Sequence, residues 1–95
     1  MEFLVHIEVR LPAELDAQRK QVLLDAEFAR GKELVQSGVI RRIWRVPGRF
    51  ANFTLYEVPD ATALHAMISS LPLWPYMDVT VHPLALHPLE KERGI

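Results

Sequence analysis

Phe3, Val5, Ile7 and Val9 alternate with Leu4, His6, Glu8 and Arg10 at the head of the chain. This is the period of a strand with one apolar face, and Leu11-Pro12 closes it. Asp16 supplies an N-cap for a long helix running to about Gln36, and Ser37-Gly38 supplies its stop. Val39 to Val46 reads as a second strand, Pro47-Gly48 as a tight turn, and Arg49 to Val58 as a third strand in a hairpin with the second. Pro59-Asp60 opens a second helix, whose Leu64, Met67, Ile68 and Leu71 have the spacing of one buried stripe. Pro72 ends that helix. Pro72 and Pro75 bracket Trp74, and Pro75 predicts an extended Trp74, because proline pushes its predecessor out of the helical region. Met77, Val79 and Val81 mark a fourth strand, with Pro83 at its limit or edge. No period survives from Leu84 to Ile95, which predicts an extended, non-helical tail packed on a neighbouring subunit.

The order βαββαβ is the split βαβ arrangement of a ferredoxin-like α+β fold, with one domain over residues 1–95. Both helices then cross one face of a four-stranded antiparallel sheet, and the other face is open. Leu4 and His6 lie on that face, joined by either Arg41, Ile43 and Arg45 or Ile40, Arg42 and Trp44. A mixed apolar and polar open face needs a cover. Packing against the sheet of a second copy, as a dimeric α/β barrel, would provide it.

Bulk properties narrow the function classes. A chain of 95 residues holds one core, and its small size favours further burial by oligomerisation. The absence of cysteine removes disulfides, thiolate zinc sites and cysteine nucleophiles. A net charge of −1 argues against nucleic-acid binding. No apolar run has the length of a membrane span, and the alternating N-terminus is unlike a signal peptide, so a cytoplasmic location is expected. Arg41, Arg42, Arg45 and Arg49 cluster in sequence and keep local anion binding open.

Glu27 is the first candidate for chemistry. It lies one turn after Leu23, at the margin of the buried stripe, with Gly31 leaving space one turn on. A partly buried carboxylate has a raised pKa and serves as a general base near neutrality; the plainer alternative is a structural ion pair with Arg30. Asn52 stands mid-strand, where asparagine is a poor β-former but useful for holding an oxyanion or a carbonyl. Trp44-Arg45 offers an indole donor and a guanidinium that clamps carboxylates, but neighbours on a strand point to opposite faces, so only one can enter a given pocket. The histidines His6, His65, His82 and His87 have no metal-ligand spacing, and neither a phosphate loop nor a nucleophile elbow is present. Cofactor-independent and metal-free chemistry is the expectation.

The chain resembles the muconolactone Δ-isomerase family. The resemblance is carried by Val9-Arg10-Leu11-Pro12, Leu15-Asp16, Glu27, Trp44-Arg45, Gly48, Ala51-Asn52, Val58, Leu64-His65, the run from Leu71 to Met77, and His87-Pro88. It implies a ferredoxin-like fold, dimerisation through the sheets and assembly into a decamer. It also implies cofactor-free isomerisation of muconolactone to 3-oxoadipate enol-lactone, in the catechol branch of the β-ketoadipate pathway, or turnover of a related substituted lactone. Glu27 takes the proton-shuttling role, Asn52 faces the oxyanion and Arg45 the substrate carboxylate, with Trp44, Phe50 and Tyr76 as further substrate-binding residues. The chain departs from the family pattern at Leu24, where a lysine is usual, at Phe50, where a tyrosine is usual, and at Ile40, where an aromatic is usual. Leu24 makes the site more apolar. Two other classes compete: a dimeric α/β-barrel enzyme acting on another small apolar molecule, such as a polyketide, and a non-catalytic binding or assembly module.

Overall fold

A computed structural model describes residues 1–93. The elements run β1 (Glu2–Val9), α1 (Ala17–Gln36), β2 (Ile40–Arg45), β3 (Ala51–Glu57), α2 (Ala61–Ser69), a 3₁₀ turn (Trp74–Tyr76), β4 (Met77–Leu84) and α3 (Pro88–Glu92). The four strands form one antiparallel sheet in the order β2-β3-β1-β4. This is the predicted βαββαβ arrangement, and α1 begins and ends where its caps predict. The Asp16 carboxylate accepts the Arg19 N–H at 2.8 Å, and Gly38 adopts φ +83° just past the Ser37 C-cap.

Cross-strand register sorts the side chains by face. Phe3, Val5, Ile7 and Val9 point to the helices and form the core with Leu34, Ile40, Tyr56, Leu64, Ile68, Leu71 and Leu73. Their β3 partners Tyr56, Thr54 and Asn52 share that face, because residues directly opposite in a ladder lie on the same side. Leu4, His6, Phe53, Leu55 and Trp44 lie on the other face, which no helix among the described residues covers. There the His6 and Phe53 rings stand 4.8 Å apart, and the Arg42 guanidinium lies 5.1 Å from the Trp44 ring centre.

Neither predicted set for β2 holds. The register shifts between Ile40 and Arg42, so Ile40 opposes Tyr56 and faces the core, while Arg42 opposes Leu55 on the open face. Arg41 is the extra residue, and a bulge of this kind breaks the simple alternation on which both sets relied. The arginine cluster is dispersed in consequence. Arg42 and Trp44 share the open face, Arg45 faces the helices, and Arg49 pairs with Glu8 at 2.7 Å.

Three further expectations are corrected. α2 stops at Ser69, before Pro72, although Leu71 still completes its buried stripe. Trp74 is the first residue of a 3₁₀ turn rather than extended, and it stays 41% exposed, whereas Leu73 beside it is buried. The Leu71 and Leu73 carbonyls accept the Trp74 and Tyr76 N–H groups at 2.9 Å each, and these bonds offset the bias that Pro75 imposes. The tail, third, is not wholly extended: Leu84 ends β4, and Pro88–Glu92 makes a short helix capped by the His87 ring, whose Nδ1 accepts the Leu89 N–H at 3.0 Å. Gly94 and Ile95, the end of that tail, lie outside the described residues. No helix among the described residues is long and apolar enough to cross a membrane.

The β2–β3 hairpin turns at Val46-Pro47-Gly48-Arg49, with Gly48 at φ +79° and the Arg49 N–H donating to the Val46 carbonyl at 3.2 Å. Proline followed by a positive-φ glycine is the type II pattern. A Cβ on Gly48 would meet nothing within 4 Å, so the glycine is required by its backbone angle alone. Gly48→Ala is expected to cost about 1–2 kcal/mol in urea unfolding at fixed protein concentration, the usual penalty for alanine in the left-handed region.

Candidate functional site

α1 does not lie flush on the sheet. Between them opens a cavity of about 390 Å³, within the range of small-molecule sites. One wall is the helical stretch Glu27, Phe28, Gly31, Lys32 and Val35. The opposite wall is the helix-facing side of the sheet, with Ile7, Val9, Ile43, Arg45, Asn52, Thr54 and Tyr56. Phe50 stands at the end of the hairpin, and Leu71, Leu73 and Met77 close the floor. The lining is predominantly apolar and carries a few polar groups.

Glu27 is half-buried at this wall. Its Oε1 accepts the Leu73 N–H at 2.9 Å, a bond that reaches from α1 to the proline-bracketed connector. Burial pushes the carboxyl above the ordinary carboxylate range, and the Leu73 N–H opposes part of that rise. The Arg30 ion pair is not formed. The Arg30 side chain donates to the Ser70 hydroxyl at 3.0 Å and lies 3.7 Å from Glu33. Glu27 is therefore held by a backbone donor, and among the described residues no cation is bonded to it.

Facing it from the sheet, Asn52 is half-buried and its orientation is set from below. The Thr54 hydroxyl donates to the Asn52 Oδ1 at 2.6 Å. Thr54 is itself buried, two residues along the same strand face. With Oδ1 engaged, the two Nδ2 hydrogens are the groups left for the cavity. Tyr56 adds a phenol to the same wall, pushed up to about 12 by burial first and by the negative charge of Glu27 second, against a smaller opposing effect of Arg30. It stays a neutral donor at any physiological pH. Arg45 and Lys32 bring positive charge to the cavity from opposite walls, and the Arg45 guanidinium lies 5.8 Å from the Phe50 ring centre, which restrains both.

Of the residues singled out from sequence, the structure brings together Glu27, Asn52, Arg45 and Phe50. Trp44, Tyr76 and Leu24 are not among the cavity's lining. Trp44 is excluded by strand parity, since Arg45 occupies the inward position. Tyr76 lies at the other end of α1, against Leu15, Asp16 and Leu23. Leu24, one turn before Glu27, packs against the hydrophobic core. Sequence reasoning missed Lys32, Thr54, Tyr56 and Leu73. Period-two counting from Asn52 would have found Thr54 and Tyr56, and helical counting from Glu27 would have reached Lys32. Leu73 acts through its backbone and leaves no side-chain signal. Among the described residues no group of three or more His, Cys, Asp or Glu is placed to hold a metal ion.

Known proteins match both the sequence and this geometry. Muconolactone Delta-isomerase 2 of Acinetobacter lwoffii is 44% identical over 87 residues, covering 92% of this chain and 91% of that protein. Muconolactone Delta-isomerase of Pseudomonas aeruginosa is 38% identical over 88 residues, covering 93% and 92%. The crystal structure of muconolactone isomerase superposes with a TM-score of 0.87 at 38% identity, over 93% of this chain and 92% of that one. The family model for muconolactone delta-isomerase matches residues 1–90, and with the fold and these relatives it establishes that the chain belongs to the muconolactone delta-isomerase family.

Proposed function

We propose that the protein isomerises muconolactone, or a closely substituted relative, to the corresponding enol-lactone, with Glu27 carrying the proton. The observation that supports this most is a raised-pKa carboxylate and an oriented carboxamide on opposite walls of one apolar cavity. The ionised Glu27 removes the proton from the ring carbon that bears the ring oxygen. That C–H pair becomes the new ring double bond, the old double bond shifts toward the carbonyl carbon, and the carbonyl pair moves onto oxygen. The Asn52 Nδ2 and the Tyr56 phenol donate to the resulting dienolate oxygen. Glu27, now protonated, returns the proton to the carbon beside the carbonyl, so the reaction is redox-neutral and consumes nothing. Arg45 and Lys32 hold the substrate carboxylate, and Lys32 offers the helix-borne cation that Leu24 does not.

A base with a raised pKa suits this reversal of roles, because donor and acceptor strengths lie closer to those of the carbon acid. The reading extends to assembly. The open face carries Trp44 and Phe53, both exposed, beside Leu4 and Leu55, and a second copy packed sheet to sheet would cover them. The exposed Leu84, Leu86 and Leu89 favour a tail seated on a neighbouring copy. A radius of gyration of 14.9 Å, above the ~12.4 Å typical of a compact chain of this size, agrees with a tail that leaves its own body.

Glu27→Gln keeps an acceptor for the Leu73 N–H and removes the base. Isomerisation of muconolactone, followed by ultraviolet absorbance, should fall roughly 10²–10⁴-fold. In the wild type, kcat/KM should rise with pH along an acid limb displaced above the ordinary carboxylate range. The stability sign is opposite. A folded-state pKa above the unfolded value means that Glu27 costs stability once it ionises, so Glu27→Gln should be at least as stable as wild type at neutral pH. Any stability gain over wild type should vanish as pH falls below the unfolded pKa of a carboxylate. A variant that loses stability but keeps activity would make Glu27 structural.

Thr54→Val removes the hydroxyl that orients Asn52 while preserving its shape. It should lower kcat about tenfold, the worth of one hydrogen bond, with little change in KM and full folding. Thr54→Ser should restore kcat, a pattern that loss of packing alone would not give.

Light scattering at micromolar concentration should return a dimer or a larger assembly, and Trp44→Glu, set in the open face, should shift it toward monomer. A monodisperse wild-type monomer would refute the sheet-to-sheet reading.

A further inference from the structure

Gly31 stands inside the arc of α1 that walls the cavity. At about 100° per residue, Glu27, Gly31, Val35, Phe28 and Lys32 fan over roughly 140°, and Gly31 lies about 40° in from the Glu27 edge. Its vacancy therefore opens into the cavity wall and not onto the solvated back of the helix. Nothing in the fold asks for glycine there. Gly31 is not among the glycines with positive φ, and a Cβ built on it would meet no atom within 4 Å. Gly38 and Gly48 differ, since their positive φ accounts for them. Glycine in a helix interior is less stable than alanine, so Gly31 costs stability with no local structural return. What it leaves is a hollow one turn beyond the base, flanked on the helix by Phe28 and Val35.

We propose that Gly31 is a specificity-determining residue, and that its hollow receives an apolar substituent, an alkyl group or a halogen, carried on the lactone ring. This rests on the isomerase reading above. The substituent class follows from the flanking side chains. Phe28 and Val35 offer no partner to a hydroxyl or a charge, and both keep much exposed surface, at 75% and 49%, so an apolar substituent seated between them would take apolar area out of water on both sides. The cations of the cavity are left for the carboxylate arm, and Glu27, Asn52 and Tyr56 for the reacting carbons and oxygen. Size selection by a hollow of this kind is worth about 10–200-fold for one methyl group or methylene.

The test uses the full chain, wild type and with Gly31→Ala or Gly31→Val, on muconolactone and on its methyl- and chloro-substituted analogues. Thermal midpoints are read at one protein concentration. Wild type should turn over a methyl- or chloro-substituted lactone with a kcat/KM within about tenfold of the parent. Gly31→Ala should melt several degrees higher and lower the ratio of substituted to parent kcat/KM about 10–200-fold. Gly31→Val should widen that discrimination. Equal losses on parent and substituted lactones, no change in their ratio, or a lower melting point for Gly31→Ala would each overturn the proposal while leaving the isomerase reading intact. A folded wild type that converts neither lactone would overturn both.

Discussion

The hydrogen bond from the Leu73 N–H to the Glu27 Oε1 is the contact on which the site depends. It joins residues 46 positions apart and fixes α1 against the connector that leads into β4. The rest of that connector is built to hold the donor still. Pro72 sets the backbone before Leu73, two turn hydrogen bonds close over Trp74 and Tyr76, and the Leu73 side chain is sunk in the core at 2% exposure. A hydrogen bond to an ionised group contributes about 1.5–3 kcal/mol, enough to keep the Oε1 oxygen engaged on the connector. The aromatic-rich run after α2 thus serves as a mount for one amide.

That mount also tempers the electrostatics. Burial alone would drive Glu27 toward its neutral form, and a cation beside it would drive it the other way. A neutral backbone donor lowers the pKa by less than a full charge would, leaving a net rise. The cavity's cations, Arg45 and Lys32, are not bonded to Glu27. The carboxylate thus keeps a raised affinity for a proton, while the positive charge of the cavity sits on other side chains. A lysine at position 24, on the same helical face, would have coupled the two. Leucine there packs against the core instead.

Most of the fold was legible because its signals are local and redundant. Asp16 and Ser37-Gly38 bound α1 by capping chemistry, and the alternation of β1 needs only one solvated face. What escaped depends on non-local bonds or on elements too short to show a period. The bulge at Arg41 is decided by how β2 meets β3, and a sequence that reads Ile-Arg-Arg-Ile-Trp-Arg supports either parity. The 3₁₀ turn at Trp74 and the five-residue helix after His87 fall below the length at which periodicity speaks, although His87-Pro88-Leu89-Glu90 carries cap, N1 proline and first-turn acid. Glu27, Asn52 and Arg45 stand out in the sequence because each is chemically conspicuous where it stands, and all three line one cavity. Trp44 and Tyr76 were misplaced because prominence in a sequence says nothing of which face a side chain takes.

Strand parity carries the last step. On β2 and β3 every inward residue of the site is one position from an outward residue of the open face: Arg45 from Trp44, Asn52 and Thr54 from Phe53, Tyr56 from Leu55. The cavity wall and the uncovered apolar face are the two sides of the same strands. A shift of one residue in the β2–β3 pairing would carry Arg45 out of the cavity and Trp44 into it. The turn at Pro47-Gly48 and the bulge at Arg41 bracket β2 and hold that register from both ends. Covering the open face would therefore do more than remove apolar surface from water. By clamping Trp44 and Phe53 it would hold the strands that aim Arg45 and Asn52, so that assembly and the geometry of the site draw on the same residues.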